Sequence, residues 1–314
     1  MNNKIAIGCL VQWYESEMIS EYVETLKEAI SQYDGEVIVD VAVVLDQTLE
    51  KCTSKQTHQE CKEKILNSVK SIDECKIGII NNLYTIADYR REFNDRYCDE
   101  VDVLVWGESD MLVPKQMFII LNTLHQMSTT SNPKYLAFFG TCKMWDDSWL
   151  SVEHSELTNK PRNASEWWGT RYQMSIDEMN GINDKVEELD VRIVSPHKFN
   201  GCGLVISSEV IKSGVNIPKS VFFTHEDSAL MYVTNKLLGN IPQYVIKNIL
   251  LVHNREHKNK RNYILGECGN TLGERRKSSS WYNSASKMSE ENYKNIFNPN
   301  YKSKTWQDVW NNIK

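Results

Sequence analysis

LVWGESDMLVP, residues 104–114, is the stretch on which the fold turns. It continues a run, VDVLVW over 101–106, that is mostly apolar and β-branched and predicts a buried strand. The strand stops at Gly107. Two acids one residue apart follow, Glu108 and Asp110, and Pro114 opens a helix soon after. A core strand that holds two carboxylates at its tip suggests a cation there. The bland alternatives are a helix cap or a solvated turn.

Outward from this stretch, strands and helices alternate. Residues 4–11 and the apolar EVIVDVAVVL of 36–45 predict strands, and 17–33, 61–70 and 83–97 predict helices. Beyond Pro114 come a helix to 126 and a strand over 135–140. Residues 199–207 open on a glycine pair and run into a short strand. Residues 220–224 predict a strand that delivers His225, Glu226 and Asp227 to a helix ending near 237, and 244–252 is a last apolar strand closing on His253. Two amphipathic pieces, 290–297 and 306–313, form a C-terminal helical tail.

The alternation predicts an α/β fold with one mixed, mostly parallel sheet flanked by helices. Residues 1–255 form the main domain. Its halves are 1–110 and 111–255, the second of which contains an irregular insertion over 141–198. Residues 256–314 make a basic segment and tail packed on that domain.

At 314 residues the chain can bury a sizeable core, and 41% hydrophobic with 25% charged residues is ordinary for a globular protein. The N-terminus lacks an uninterrupted signal-peptide core, and no run of about 18 apolar residues occurs. The expectation is a soluble cytoplasmic protein with no membrane partner. The eight cysteines lack paired short spacings; Cys52, His58, Cys61 and Cys75 fit no common zinc module. The net charge is −6, yet residues 247–277 carry eight Lys or Arg against three Glu, a local +5. Such a run suits a local anionic ligand or a solvated tail.

In a parallel sheet, ligands gather outside the carboxyl ends of the strands. Asp46, Glu108, Asp110 and His253 all close predicted strands, so one edge should hold them. Carboxylates and an imidazole together suit a hard or borderline cation, Mg²⁺ or Mn²⁺, with phosphate oxygens completing its shell. Arg255 and the basic residues after it suit the phosphates. Asp227, at a helix N-terminus, is kept ionised by the backbone dipole and suits either a base or a simple N-cap.

These marks, in this order, resemble the GT-A fold glycosyltransferases. Glu108 and Asp110 match that family's DxD motif, Gly201 and Gly203 its glycine-rich loop, Glu226 and Asp227 its xED motif, and His253 its C-terminal metal-binding histidine. The first DxD position is Glu rather than Asp. The resemblance covers residues 4–255.

It implies a metal-dependent transfer of a sugar from a nucleotide-sugar donor, a UDP sugar first, to an acceptor hydroxyl. Glu108, Asp110 and His253 would hold Mn²⁺ or Mg²⁺, and Asp227, with Glu226, would be catalytic. Val11, Tyr14, Asp46, Arg90 (or Arg91), Ser109, Gly201, Gly203, Arg255, Lys258 and Arg261 would contact the donor. His225 and the insertion's Trp145, Trp167 and Trp168, with Trp149 beside them, would meet the acceptor; lid packing explains those tryptophans equally well. Sugars, lipids, proteins and nucleic-acid bases all serve as acceptors in the family. The tryptophans and the basic run suit DNA, as in bacteriophage DNA-base glycosyltransferases. A saccharide acceptor and a non-catalytic nucleotide- or nucleic-acid-binding protein stay open. A nucleotidyltransferase would carry a glycine-rich basic loop where this chain has Gln12, Trp13, Tyr14 and Glu15.

Overall fold

The computed structural model describes residues 2–50, 55–143, 151–152, 175–195, 201–253 and 280–313. In chain order the elements are β1 (Ile5–Gln12), α1 (Ile19–Ser31), β2 (Val37–Val44), α2 (Lys55–Val69), β3 (Lys76–Ile80), α3 (Ile86–Tyr97), β4 (Val103–Glu108), α4 (Met117–Thr129), β5 (Leu136–Lys143), β6 (Ser151–Val152), α5 (Ile176–Asn183), β7 (Val191–Ile193), β8 (Leu204–Ser207), α6 (Ser208–Lys212), α7 (Glu226–Leu237), β9 (Gln243–His253), α8 (Ser280–Lys294) and α9 (Trp306–Asn312). A 3-10 turn, Trp13–Glu15, follows β1.

The strands form one sheet in the order β3-β2-β1-β4-β8-β5-β9-β7, with β6 beside β5. The pairings run β1, β2, β3, β4, β5 and β9 in one direction and β6, β7 and β8 in the other. This is the expected mixed, mostly parallel sheet. The chain winds outward from β1 through β2 to β3, then returns to place β4 on β1's other side. The switch point therefore lies between β1 and β4, where open α/β sheets bind ligands.

Period-two alternation splits the core into two layers. Ile5, Ile7, Cys9 and Val11 of β1 join Val103 and Val105 of β4 beneath α1, α2 and α4. Ala6 and Leu10, with Leu104 and Trp106, face α3, α6 and α7. Cys61 is part of the first layer, and the His58 ring sits edge-on to Trp13 with Nε2 3.1 Å from the Leu45 carbonyl oxygen, so both have structural roles.

One buried acid interrupts the apolar pattern of β2. Asp40 is 5% exposed and accepts hydrogen bonds from the hydroxyls of Tyr89 (2.9 Å) and Tyr97 (2.7 Å) and from Arg96 (2.8 Å). It ties α3 to the sheet. Asp40→Ala strips these donors of a charged partner and should cost about 2–3 kcal/mol, read as a lower urea midpoint. An unchanged midpoint would show that α3 is held by packing alone.

Three sequence expectations differ from the structure. β3 is a short, half-exposed edge strand whose KIGII pattern is too brief to stand out. The insertion expected to be irregular contains α5 and β7. α5 has a structural task, because the register of β9 against β5 slips between Ile246 and Leu250 and the Asn183 side chain pairs with both the N–H (2.7 Å) and the carbonyl (3.0 Å) of Leu250.

Residues 220–224 are not a strand. Their carbonyls bond to side chains instead of a neighbouring ladder: Asn292 to Ser220 (2.7 Å), Arg91 to Val221 (2.6 Å), Thr85 to Phe222 (2.9 Å) and Ser289 to Thr224 (2.9 Å). Phe222 and Phe223 are buried against Ala285 and Val309 of the tail helices, with Trp281 and Trp306 alongside. The tail thus grips the segment that leads into α7. Among the described residues, no helix is long and apolar enough to cross a membrane.

Candidate functional site

β4 and β9 are parallel in direction but separated in the sheet by β8 and β5. Their last residues still converge at the carboxyl edge, because the chain after β4 crosses toward β9: the Leu112 N–H donates to the Val252 carbonyl (3.0 Å). His253 Nε2 consequently lies 2.6 Å from Glu108 Oε2 and 3.9 Å from Asp110 Oδ1. The switch point is laced as well. Glu15 Oε2 accepts from the Gln12 N–H (2.9 Å) and from the Ser109 hydroxyl (2.8 Å), fastening the turn after β1 to the turn after β4.

Beneath these groups lies Arg90 of α3, 1% exposed. Its NH1 donates to Glu226 Oε1 (2.5 Å) and its NH2 to Glu108 Oε1, while the guanidinium lies over the Trp106 ring, 4.7 Å from its centre. Arg90 therefore joins the end of β4 to the start of α7. Burial pushes the Glu108 carboxyl up, but His253 and Arg90 outweigh it and hold the group below the usual carboxylate range. Glu226 goes the other way: burial, opposed by Arg90 and reinforced by Asp227, pushes it up to about 7. One guanidinium does not balance three carboxylates, and Glu226 bears the deficit.

The glycine loop closes over this cluster because both glycines are required. A Cβ on Gly201 would fall 2.6 Å from Arg90 NH1. Gly203 has φ +66°, donates its N–H to the Trp106 carbonyl (2.8 Å), and would drive a Cβ to 2.6 Å from Leu251. Between them Cys202 is buried, and Glu108, Cys202 and His253 each offer a ligand atom within 4.8 Å of the others. His253 Nδ1 is buried without a hydrogen-bond partner. The other ring nitrogen, Nε2, faces the carboxylates of Glu108 and Asp110, and an imidazole so placed fits a metal-binding role.

Asp227 is half-buried at the start of α7, its Oδ1 accepting from the Ser228 N–H (2.6 Å). Its Cβ would be 3.6 Å from a Cβ on Gly201. It is the more accessible member of the Glu226–Asp227 pair. His225 before it adopts a left-handed conformation (φ 69°), and its Nε2 lies 3.1 Å from the Ser286 hydroxyl of α8.

The structure thus brings together Glu108, Asp110, His253, Arg90, Glu226, Asp227, Gly201 and Gly203. Other expected contacts fall elsewhere. Val11 is fully buried and Tyr14 is 2% exposed, packed edge-on to Trp13, so their side chains belong to the core. Arg90, expected at ribose or phosphate, spends its NH1 and NH2 on carboxylates. Asp46 closes β2 on the same edge and caps its own turn through Thr48 (2.8 Å). Trp145, Trp149, Trp167, Trp168, Arg255, Lys258 and Arg261 lie outside the described residues. Cys202 escaped the sequence reading; its only signal there is its place between the two loop glycines.

No protein-family model and no curated protein matches the chain. Among solved structures it is similar to residues 1–349 of S. aureus TarS in complex with UDP-GlcNAc (TM-score 0.49, 10% identity, 98% of this chain and 70% of that one). It is also similar to S. aureus TarS (TM-score 0.48, 12% identity, 98% and 47%) and to a mycobacterial protein (TM-score 0.47, 11% identity, 91% and 74%). Likeness at this level is too loose to assign a function.

Proposed function

We propose that the chain is a metal-dependent glycosyltransferase that takes its sugar from a nucleotide-sugar donor, with a UDP sugar first. The observation that supports this most is the meeting of Glu108, Asp110 and His253 at the switch point, with Asp227 at a helix start on the other side of the glycine loop. In this reading the donor lies along the carboxyl edge, its base toward Asp46 and its diphosphate before Glu108 and Asp110. Ser109, held by Glu15, fixes the turn between the two acids.

Glu108, Asp110 and His253 would hold Mn²⁺ or Mg²⁺, which when bound neutralises the charge that develops on the departing diphosphate. Arg90 orients Glu108 from beneath rather than touching phosphate. Arg255, Lys258 and Arg261, which follow His253 in the chain, supply the cationic contacts to the diphosphate. Asp227 accepts the proton of the acceptor hydroxyl as the new glycosidic bond forms. A DNA acceptor is the more specific form of this reading and rests on the +5 run of residues 247–277 and on the tryptophans of the insertion.

The test is a thermal-shift series with UDP, other nucleoside diphosphates and UDP sugars, with Mn²⁺ and with EDTA. A ligand at about 100 times its dissociation constant adds ~2.7 kcal/mol of stability, so the shift should be plain. It should need the metal, and Asp110→Ala should abolish it while leaving the unliganded melting point within a degree or so. Metal-independent stabilisation, or none by any nucleotide, would reject the reading.

A further inference from the structure

We propose that Cys202 is a ligand of the same metal centre, giving it an oxygen, nitrogen and sulfur donor set that favours Mn²⁺, Co²⁺ or Zn²⁺ over Mg²⁺. The inference deepens the metal-site reading above and rests on it.

The topology brings the thiol there. β8 runs against β4 and its neighbour β5, so the start of β8, not its end, meets the carboxyl edge. The loop preceding it therefore enters between the ends of β4 and β9. The hydrogen bond from the Gly203 N–H to the Trp106 carbonyl pins that loop two residues before Glu108. Gly201 and Gly203 keep Arg90 and Leu251 clear on either side, and the side chain carried between them is Cys202.

A buried cysteine is ordinarily a small apolar filler, and Cys202, 1% exposed, does touch the core. A filler thiol meets carbon atoms. This one, outside any disulfide, lies with the Glu108 carboxylate and the His253 imidazole, each with a ligand atom within 4.8 Å of the others. His253 is 7% exposed, and its Nδ1 has no protein partner. Three ligand types, from three separate segments, come within 4.8 Å of one another, the thiol and imidazole buried and the carboxylate half-buried. Thiolate is a poor ligand for Mg²⁺ and a good one for Zn²⁺ and Co²⁺, with imidazole suiting the same metals. The site is thus chemically unlike one made of carboxylates alone.

Co²⁺ is the probe, because thiolate bound to Co²⁺ gives an intense near-ultraviolet charge-transfer band that carboxylate and imidazole do not. The full chain, reduced and metal-free, is titrated with Co²⁺ alone. The band should appear at one equivalent. It should vanish in Cys202→Ser and in Cys202→Ala, with Co²⁺ affinity at least about tenfold weaker, and should survive in Cys75→Ser. Mg²⁺ at high excess should fail to displace it, and Zn²⁺ should succeed.

Co²⁺ bound by the unaltered chain with only weak visible bands would overturn the proposal without any variant having to fold. So would a band that persists without Cys202 or disappears with Cys75. Either result leaves the metal site standing wherever nucleotide binding still needs Mn²⁺. No Co²⁺ binding, together with no Mn²⁺-dependent nucleotide shift, would remove the metal site and this proposal with it.

Discussion

Replacing Arg90 with alanine is expected to destabilise the protein by about 3–5 kcal/mol, the usual consequence of stripping the partner from buried charges. The guanidinium is 1% exposed, bridges Glu108 and Glu226, and stacks over Trp106. Without it two carboxylates face each other around an empty volume. Arg90→Lys should recover little, because one ammonium cannot fork to two carboxylates that lie on different NH groups. Arg90→Met separates packing from charge, since it fills most of the stem volume and carries no cation.

The pH dependence identifies the cause. In the native protein Glu108 is held below its ordinary range. It therefore contributes stability that is present above the unfolded value of about 4.3 and is lost as pH falls. Glu226, pushed up to about 7, does the reverse: it costs stability once pH rises past that unfolded value, and the cost is complete above the raised one. Removing Arg90 takes from Glu226 its cationic partner and deepens that cost, whereas Glu108 keeps the imidazole of His253 beside it. The gap between native protein and Arg90→Met should be widest near pH 8 and narrow steadily toward pH 5, where protonation neutralises Glu226. Urea melts across that range measure it. A gap that stays constant with pH would mean that Arg90 matters for packing only.

This buried bridge is also where sequence reading reached its limit. Strand-end residues are legible because a strand's direction fixes which edge its last residue occupies, so Glu108, Asp110 and His253 were expected together and lie together. Helix residues offer no such rule. Arg90 and Arg91 are adjacent, yet Arg90 turns under the sheet edge while Arg91 turns outward to the carbonyls of Ile217, Pro218 and Val221. Only the packing of α3 decides between them, and an arginine in the interior runs against every compositional expectation.

The same holds for the aromatic turn after β1. Tyr14 reads as donor-facing because of its position, but the 3-10 turn folds it, with Trp13, into the core. The segment before α7 failed for a different reason. Its apolar run is what a strand needs, but its partners are side chains of α3, α8 and the turn at Thr85, which no local pattern reveals. Cys202 was invisible because one cysteine in a glycine loop acquires meaning only from what β4 and β9 bring to it.

In the proposed reaction, Asp227→Asn is expected to leave donor binding intact and to lower sugar transfer by about 10²–10⁴-fold, the worth of a positioned general base. Asp227 and not Glu226 is the proposed base because of where the two side chains lie. By proton affinity alone Glu226 is the better base, since a group pushed up to about 7 is half ready at physiological pH. Geometry decides against it. Glu226 is 8% exposed and held by the buried Arg90, whereas Asp227 is half-buried beside Gly201 at the open end of α7. A base must reach the proton before its affinity matters. Asparagine keeps the Oδ1 that caps the Ser228 N–H, so the helix start survives and only the proton acceptor is lost. Release of nucleoside diphosphate from whichever donor stabilises the protein measures the effect, with the thermal shift as the binding control. Glu226→Gln should instead change the pH dependence of stability and retain most of the turnover. Should Glu226→Gln abolish turnover while Asp227→Asn spares it, the roles are reversed, and the proton passes to the buried acid through a movement of Arg90.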